Sequence, residues 1–123
     1  MKLVITDDHR IVRDGLRWML EGAESIEVVG EAGSGSELLA ILAVSSVDIA
    51  LVDVRMPEMN GMELYRRIHE LRPELARRMA FMTGDLIDPE IIDFLDETGA
   101  HTLAKPLEIR QVTELVNGTL AAE

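Results

Sequence analysis

Ile49-Ala50-Leu51-Val52-Asp53 is an unbroken apolar run closed by a carboxylate. A half-buried strand alternates apolar with polar residues, and a surface helix spaces its apolar residues three or four apart. A short continuous run suits a strand covered on both faces, as in a parallel sheet. Nearly continuous runs recur at Leu3-Val4-Ile5, Ile26 to Val29, Met79 to Met82 and Thr102-Leu103-Ala104. Helical spacing follows each run. Val12, Leu16 and Met19 fall on one face, as do Leu64, Ile68 and Leu71; Ile91, Phe94 and Leu95 form a third set, and Ile109, Val112, Val116 and Leu120 a fourth.

Local signals agree with these boundaries. Ser34-Gly35-Ser36-Glu37 reads as a capping box opening the second helix, Pro57 and Asn60-Gly61 bracket a loop before the third, and Asp88-Pro89-Glu90 starts the fourth. The order is therefore strand then helix, five times. Right-handed crossovers leave few topologies, and the common five-stranded answer is an α/β three-layer sandwich, flavodoxin-like, with parallel sheet order 2-1-3-4-5.

The 123 residues suit one domain, with 47% hydrophobic and 28% charged residues and no low-complexity stretch. Residues 1–123 are expected to form a single unit without an output domain. A formal net charge of -11 disfavours direct binding to nucleic acid or to anionic membrane. Cysteine is absent, which removes disulfides and zinc–thiolate sites. No apolar run approaches the roughly 18 residues needed to cross a bilayer, and no signal peptide is visible, so a soluble cytoplasmic protein is expected.

The chemistry stands at the strand ends. Asp7-Asp8 follow the first strand, Asp53 closes the third, Thr83 the fourth and Lys105 the fifth. In such a sheet all lie along the carboxyl edge, near the switch point between strands one and three where ligands of open α/β folds bind. With strands about 4.8 Å apart, Asp7 and Thr83 each stand one strand from Asp53, and the longer Lys105 reaches across two. Three crowded carboxylates call for a cation, and hard oxygen ligands favour Mg²⁺, with Mn²⁺ as the alternative. The backbone carbonyl of Arg55 offers a further oxygen. A carboxylate beside a divalent ion, a lysine and a hydroxyl is equipped for phosphoryl transfer to Asp53.

The set Asp7-Asp8, Asp53, Pro57, Gly61, Thr83-Gly84 and Lys105-Pro106 resembles the receiver domain of two-component response regulators, over essentially the whole chain. The resemblance implies a phosphoacceptor switch rather than an enzyme with a separate substrate. It implies a sensor histidine kinase or histidine phosphotransfer protein as donor, Mg²⁺ at Asp7 and Asp8, and a cis peptide before Pro106. Output would pass to a downstream protein or an attached effector domain. One departure concerns switching: where family members carry Tyr or Phe three residues before the lysine, this chain has Thr102. Activation is then expected to draw in Thr83 without an inward-turning ring.

Alternative readings are weaker. Gly30, Gly33 and Gly35 have the wrong spacing for a dinucleotide fingerprint, and Thr6-Asp7-Asp8 would repel a flavin phosphate. A dehalogenase-like phosphatase would carry its Asp-x-Asp on the first strand. His9, His69 and His101 are scattered, suggesting surface or structural roles, with His9 at the rim of the acidic pair. Arg10, Arg13 and Arg17 share one side of the first helix, where they form either a donor-docking face or merely a solvated one. Arg55 and Asp85, each two residues beyond a strand-end residue, are either a pair that closes over the phosphoryl group and lengthens its lifetime or two unrelated loop charges.

Overall fold

In the computed structural model, residues 1–84, 88–105 and 107–121 are described. Five strands form one sheet: β1 (Lys2–Thr6), β2 (Glu27–Ala32), β3 (Ile49–Asp53), β4 (Met79–Thr83) and β5 (His101–Ala104). All neighbouring pairs are parallel, in the order β2-β1-β3-β4-β5, as the sequence leads one to expect. The helices are α1 (Arg10–Leu20), α2 (Gly35–Val44), α3 (Gly61–Leu71), the single turn α4 (Pro73–Ala76), α5 (Pro89–Thr98) and α6 (Ile109–Ala121).

Strand side chains alternate between faces, so each run feeds two cores. Val4, Ala50, Val52, Met79 and Phe81 pack with Leu38 and Leu42 of α2, Leu64 and Ile68 of α3, and Ile91 and Phe94 of α5. On the opposite face, Leu3, Ile5, Ile49, Leu51, Ala80 and Met82 pack with Leu16 and Leu20 of α1 and Val112 and Val116 of α6. Every residue of β3 and β4 is buried, which explains why their sequences do not alternate.

Two details depart from the sequence reading. The turn α4 was not expected; Pro73 occupies its first position, where the missing N–H is no loss, and Leu75 and Ala76 bury against the α3 side. At the start of α2, the Ser34 hydroxyl accepts from the Glu37 N–H at 3.2 Å as a capping box requires. The Glu37 carboxylate, however, accepts from Gly33 rather than from Ser34.

Candidate functional site

Register aligns the strand ends. Asp53 stands opposite Met82, and Thr83 opposite Ala104, while the Lys105 N–H continues the ladder by donating to the Thr83 carbonyl at 3.0 Å. Asp7, one residue beyond β1, is held by its own N–H donating to the Ala32 carbonyl at 3.0 Å. Asp7, Asp53 and Thr83 are all buried, an uncommon placement for two carboxylates in one small domain.

Lys105 joins the carboxylates. Its ammonium donates to Asp7 Oδ2 at 3.0 Å and to Asp53 Oδ2 at 3.3 Å, so the long side chain bridges the strands as its position suggests. The other oxygen of Asp53 accepts the Arg55 backbone N–H at 3.1 Å. Burial, followed by repulsion from Asp7, pushes the Asp53 carboxyl above the ordinary aspartate value against the Arg55 N–H and Lys105, which favour ionisation. For Lys105 burial acts downward, but the hydrogen bond to Asp7 and the charges of Asp53 and Asp7 outweigh it and raise its pKa. One lysine thus faces more negative charge than it neutralises.

A divalent cation fits this donor set. Ligand atoms from Asp7, Asp8, His9 and Asp53 lie within 4.8 Å of one another, and the buried Asp8 Oδ1 accepts no hydrogen bond. Such an orphaned acceptor is what a metal would satisfy. Oxygen donors dominate the cluster, consistent with a hard ion.

The loop after β3 forms the rim of a cleft of about 360 Å³, lined by residues that include Arg55, Met56, Pro57, Asn60 and Asp88. Met59 N–H donates to the Pro57 carbonyl at 2.7 Å, closing a three-residue turn about Glu58, whose φ of 67° is strained for a side-chain-bearing residue. The Arg55 guanidinium pairs with Asp88, the residue capping α5. The Glu90 N–H and then Arg55 hold the Asp88 carboxyl below the usual range. Asp88 was not foreseen as a partner of Arg55. Asp85, which was, lies outside the described residues, as does Pro106 with its expected cis peptide.

Contacts on α1 and β5 add detail to the sequence reading. Arg13 does not join a solvated face: it donates to the Asp7 carbonyl at 2.7 Å and pairs with Glu31 on β2. Arg17 also pairs with Glu31, at 2.7 Å, leaving Arg10 as the outward member of the three. His9 stands at the rim of the acidic pair as its place in the sequence suggests, with Nδ1 3.3 Å from Asp7 Oδ1 and 3.1 Å from Asp8 Oδ1. Thr102 is exposed on the edge strand, its hydroxyl 3.3 Å from the Ala100 carbonyl, and stands in register with buried Phe81.

Comparison with known proteins agrees with this geometry. The chain matches the response regulator receiver domain family over residues 3–117. It is 38% identical over 93 residues to the DNA-binding transcriptional activator DevR/DosR of Mycobacterium tuberculosis, covering 76% of this chain and 42% of that protein. Against the response regulator GacA of Pseudomonas aeruginosa the identity is 26% over 123 residues, covering 100% of this chain and 56% of that one. The chain thus spans about half the length of these curated relatives. Among solved structures, a CheY-like response regulator receiver domain protein from Methanospirillum hungatei superimposes with a TM-score of 0.81 at 28% identity, over 98% of this chain and 94% of that one. Strand order, clustered strand-end carboxylates and a family match across nearly the whole length converge: the chain belongs to the receiver domains of two-component response regulators, phosphorylatable signalling switches.

Proposed function

We propose that Asp53 is the residue that takes the phosphoryl group, from a phosphohistidine on a sensor histidine kinase or a histidine phosphotransfer protein. The observation that carries this reading is the Lys105 ammonium, held 3.0 Å from Asp7 and 3.3 Å from Asp53 at the carboxyl edge of the sheet. An oxygen of Asp53 attacks the phosphorus while the bond to the donor imidazole nitrogen breaks, and that nitrogen keeps the electron pair. Lys105 and the Thr83 hydroxyl stabilise the charge on the transferred oxygens. Asp7, Asp8, Asp53 and the Arg55 carbonyl hold Mg²⁺ or Mn²⁺. When bound, the ion supplies positive charge to the phosphoryl oxygens and relieves the repulsion among the carboxylates.

Arg55, together with Asp88, covers the cleft beside Asp53 and restricts water, lengthening the life of the acyl phosphate; Asp85 is assigned the same part. Switching passes through Thr83 and β4 rather than through position 102. Phe81 lies two residues before Thr83 and meets Phe94 of α5 edge-on at 5.2 Å, and Phe94 meets Tyr65 of α3 at 5.5 Å. Residues 1–123 act as one receiver unit in the cytoplasm, passing the signal by protein contact to a downstream protein or an attached effector domain. The net charge of -11 supports an output that does not use this domain to touch nucleic acid. Among the described residues no helix is long and apolar enough to cross a membrane.

Incubation with Mg²⁺ and acetyl phosphate, followed by intact-mass measurement and phosphate release, tests the reading. A single added phosphoryl group per chain is expected, with release no faster than decay of that adduct. Phosphate released over many turnovers without an accumulating adduct would instead indicate a phosphatase.

A further inference from the structure

His9 occupies the N-cap position of α1, yet its side chain makes no capping hydrogen bond. The ring turns back instead. Its Nδ1 lies 3.1 Å from Asp8 Oδ1 and 3.3 Å from Asp7 Oδ1, while its backbone N–H donates to Asp7 Oδ1 at 2.9 Å. Four of the carboxylate oxygens divide between two neighbours. Asp7 Oδ2 and Asp53 Oδ2 face Lys105, whereas Asp7 Oδ1 and Asp8 Oδ1 face His9. Asp8 Oδ1 is the buried acceptor left without a hydrogen bond.

Donors on one octahedral ion, each about 2.1 Å from it, are roughly 3 Å apart when adjacent and about 4 Å apart when opposite. Ligand atoms from Asp7, Asp8, His9 and Asp53 lie within 4.8 Å of one another, and His9 Nδ1 already stands at the spacing of adjacent donors from Asp7 Oδ1 and Asp8 Oδ1, so a modest contraction would bring the four toward one centre. An exposed side chain without a capping duty can make that movement.

We propose that His9 is a nitrogen ligand of the acidic site and makes it favour borderline divalent ions, Ni²⁺ and Zn²⁺, more than an all-oxygen site would. The inference rests on the reading of Asp7, Asp8 and Asp53 as a metal site and adds a determinant of which ion it takes. Carboxylates and carbonyls suit Mg²⁺, which dehydrates reluctantly and seldom takes nitrogen; imidazole suits nickel and zinc. Adding one imidazole to three carboxylates therefore strengthens binding of the later ions and leaves Mg²⁺ nearly where it was. Preference for nickel over magnesium alone would not reveal this, because the divalent series already runs that way at oxygen sites. The part of the preference that depends on His9 does.

Calorimetric titration of the EDTA-stripped protein at pH 7.5 with the chlorides of Mg²⁺, Mn²⁺, Ni²⁺ and Zn²⁺ separates the cases, comparing wild type, His9→Ala and Asp8→Asn. In His9→Ala, Ni²⁺ and Zn²⁺ affinity is expected to fall about tenfold or more, Mn²⁺ less, and Mg²⁺ less than about twofold. Equal losses for all ions, or none, would overturn the role of His9. If Asp8→Asn also left every affinity unchanged, the metal-site reading would fall with it; if Asp8→Asn weakened all ions while His9→Ala weakened none, only the role of His9 would be lost. Loss of the cap residue is no obstacle, since the helix receives no bond from this side chain.

Discussion

Arg13 carries its guanidinium inward, where it is only 18% exposed, and holds the carbonyl of Asp7 while pairing with Glu31. A charged donor buried on a backbone acceptor is worth about 1.5–3 kcal/mol, whereas an ion pair as exposed as Arg17–Glu31 is worth roughly 0–1 kcal/mol. Urea unfolding of metal-free protein is therefore expected to show Arg13→Ala destabilised by about 2 kcal/mol and Arg17→Ala by less than about 1; equal effects would deny Arg13 its bracing role. Asp53 gives a second outcome at this scale. Its raised pKa means that the fold favours the protonated carboxyl: below the ordinary aspartate range nothing is lost, and stability falls as pH rises through the raised value. In EDTA, Asp53→Asn is thus expected to melt above wild type at pH 7, with the gap closing as pH falls through the ordinary aspartate range; a gap that widened on acidification would contradict the raised pKa. Asp7, Asp8, Asp53, Thr83 and Lys105 were legible in the sequence because each follows an apolar run and strand ends fall along one edge. The contacts of Arg13 and Asp88 were not, because their partners depend on where a long side chain turns or where two loops meet.

Among elements, the entry to α3 shows how tightly the site's loop is fitted. A Cβ on Gly61 would stand 3.0 Å from the backbone Cα of Val54 and 3.1 Å from a ring carbon of Phe81, while one on Gly35 would meet the flexible side chain of Met59 at 2.9 Å. Backbone and a packed ring cannot retreat as a methionine can. Gly61→Ala is expected to cost about 1–3 kcal/mol and Gly35→Ala less, by thermal or urea unfolding; comparable small losses would show that α3 is loosely seated. The sequence marked this boundary through Asn60-Gly61, and Asn60 does cap the helix, accepting from the Glu63 N–H at 3.0 Å. It did not mark α4, whose four residues are too few for any apolar period to be read. Strand β2 also runs to Ala32, beyond the apolar run at Val29, because hydrogen bonding to β1 continues after hydrophobicity stops.

For the whole molecule, two cores on opposite faces of one sheet leave the carboxyl edge as the place where buried charge collects. Topology was readable because continuous apolar runs force a doubly covered parallel sheet, and crossover handedness then restricts the order. The path from the site to a partner surface was less so: Thr102 lies exposed on the edge, and the aromatic contacts between β4, α3 and α5 arise only on packing. One buried carboxylate, Asp53, stands at the centre of that edge. Its most direct test is borohydride trapping of protein labelled by acetyl phosphate in Mg²⁺, which reduces an aspartyl phosphate to homoserine that peptide mass spectrometry can locate. Homoserine at position 53 alone, absent from Asp53→Asn, is the expected result; homoserine at Asp7 or Asp8 in the wild type, or undiminished labelling of Asp53→Asn, would contradict it.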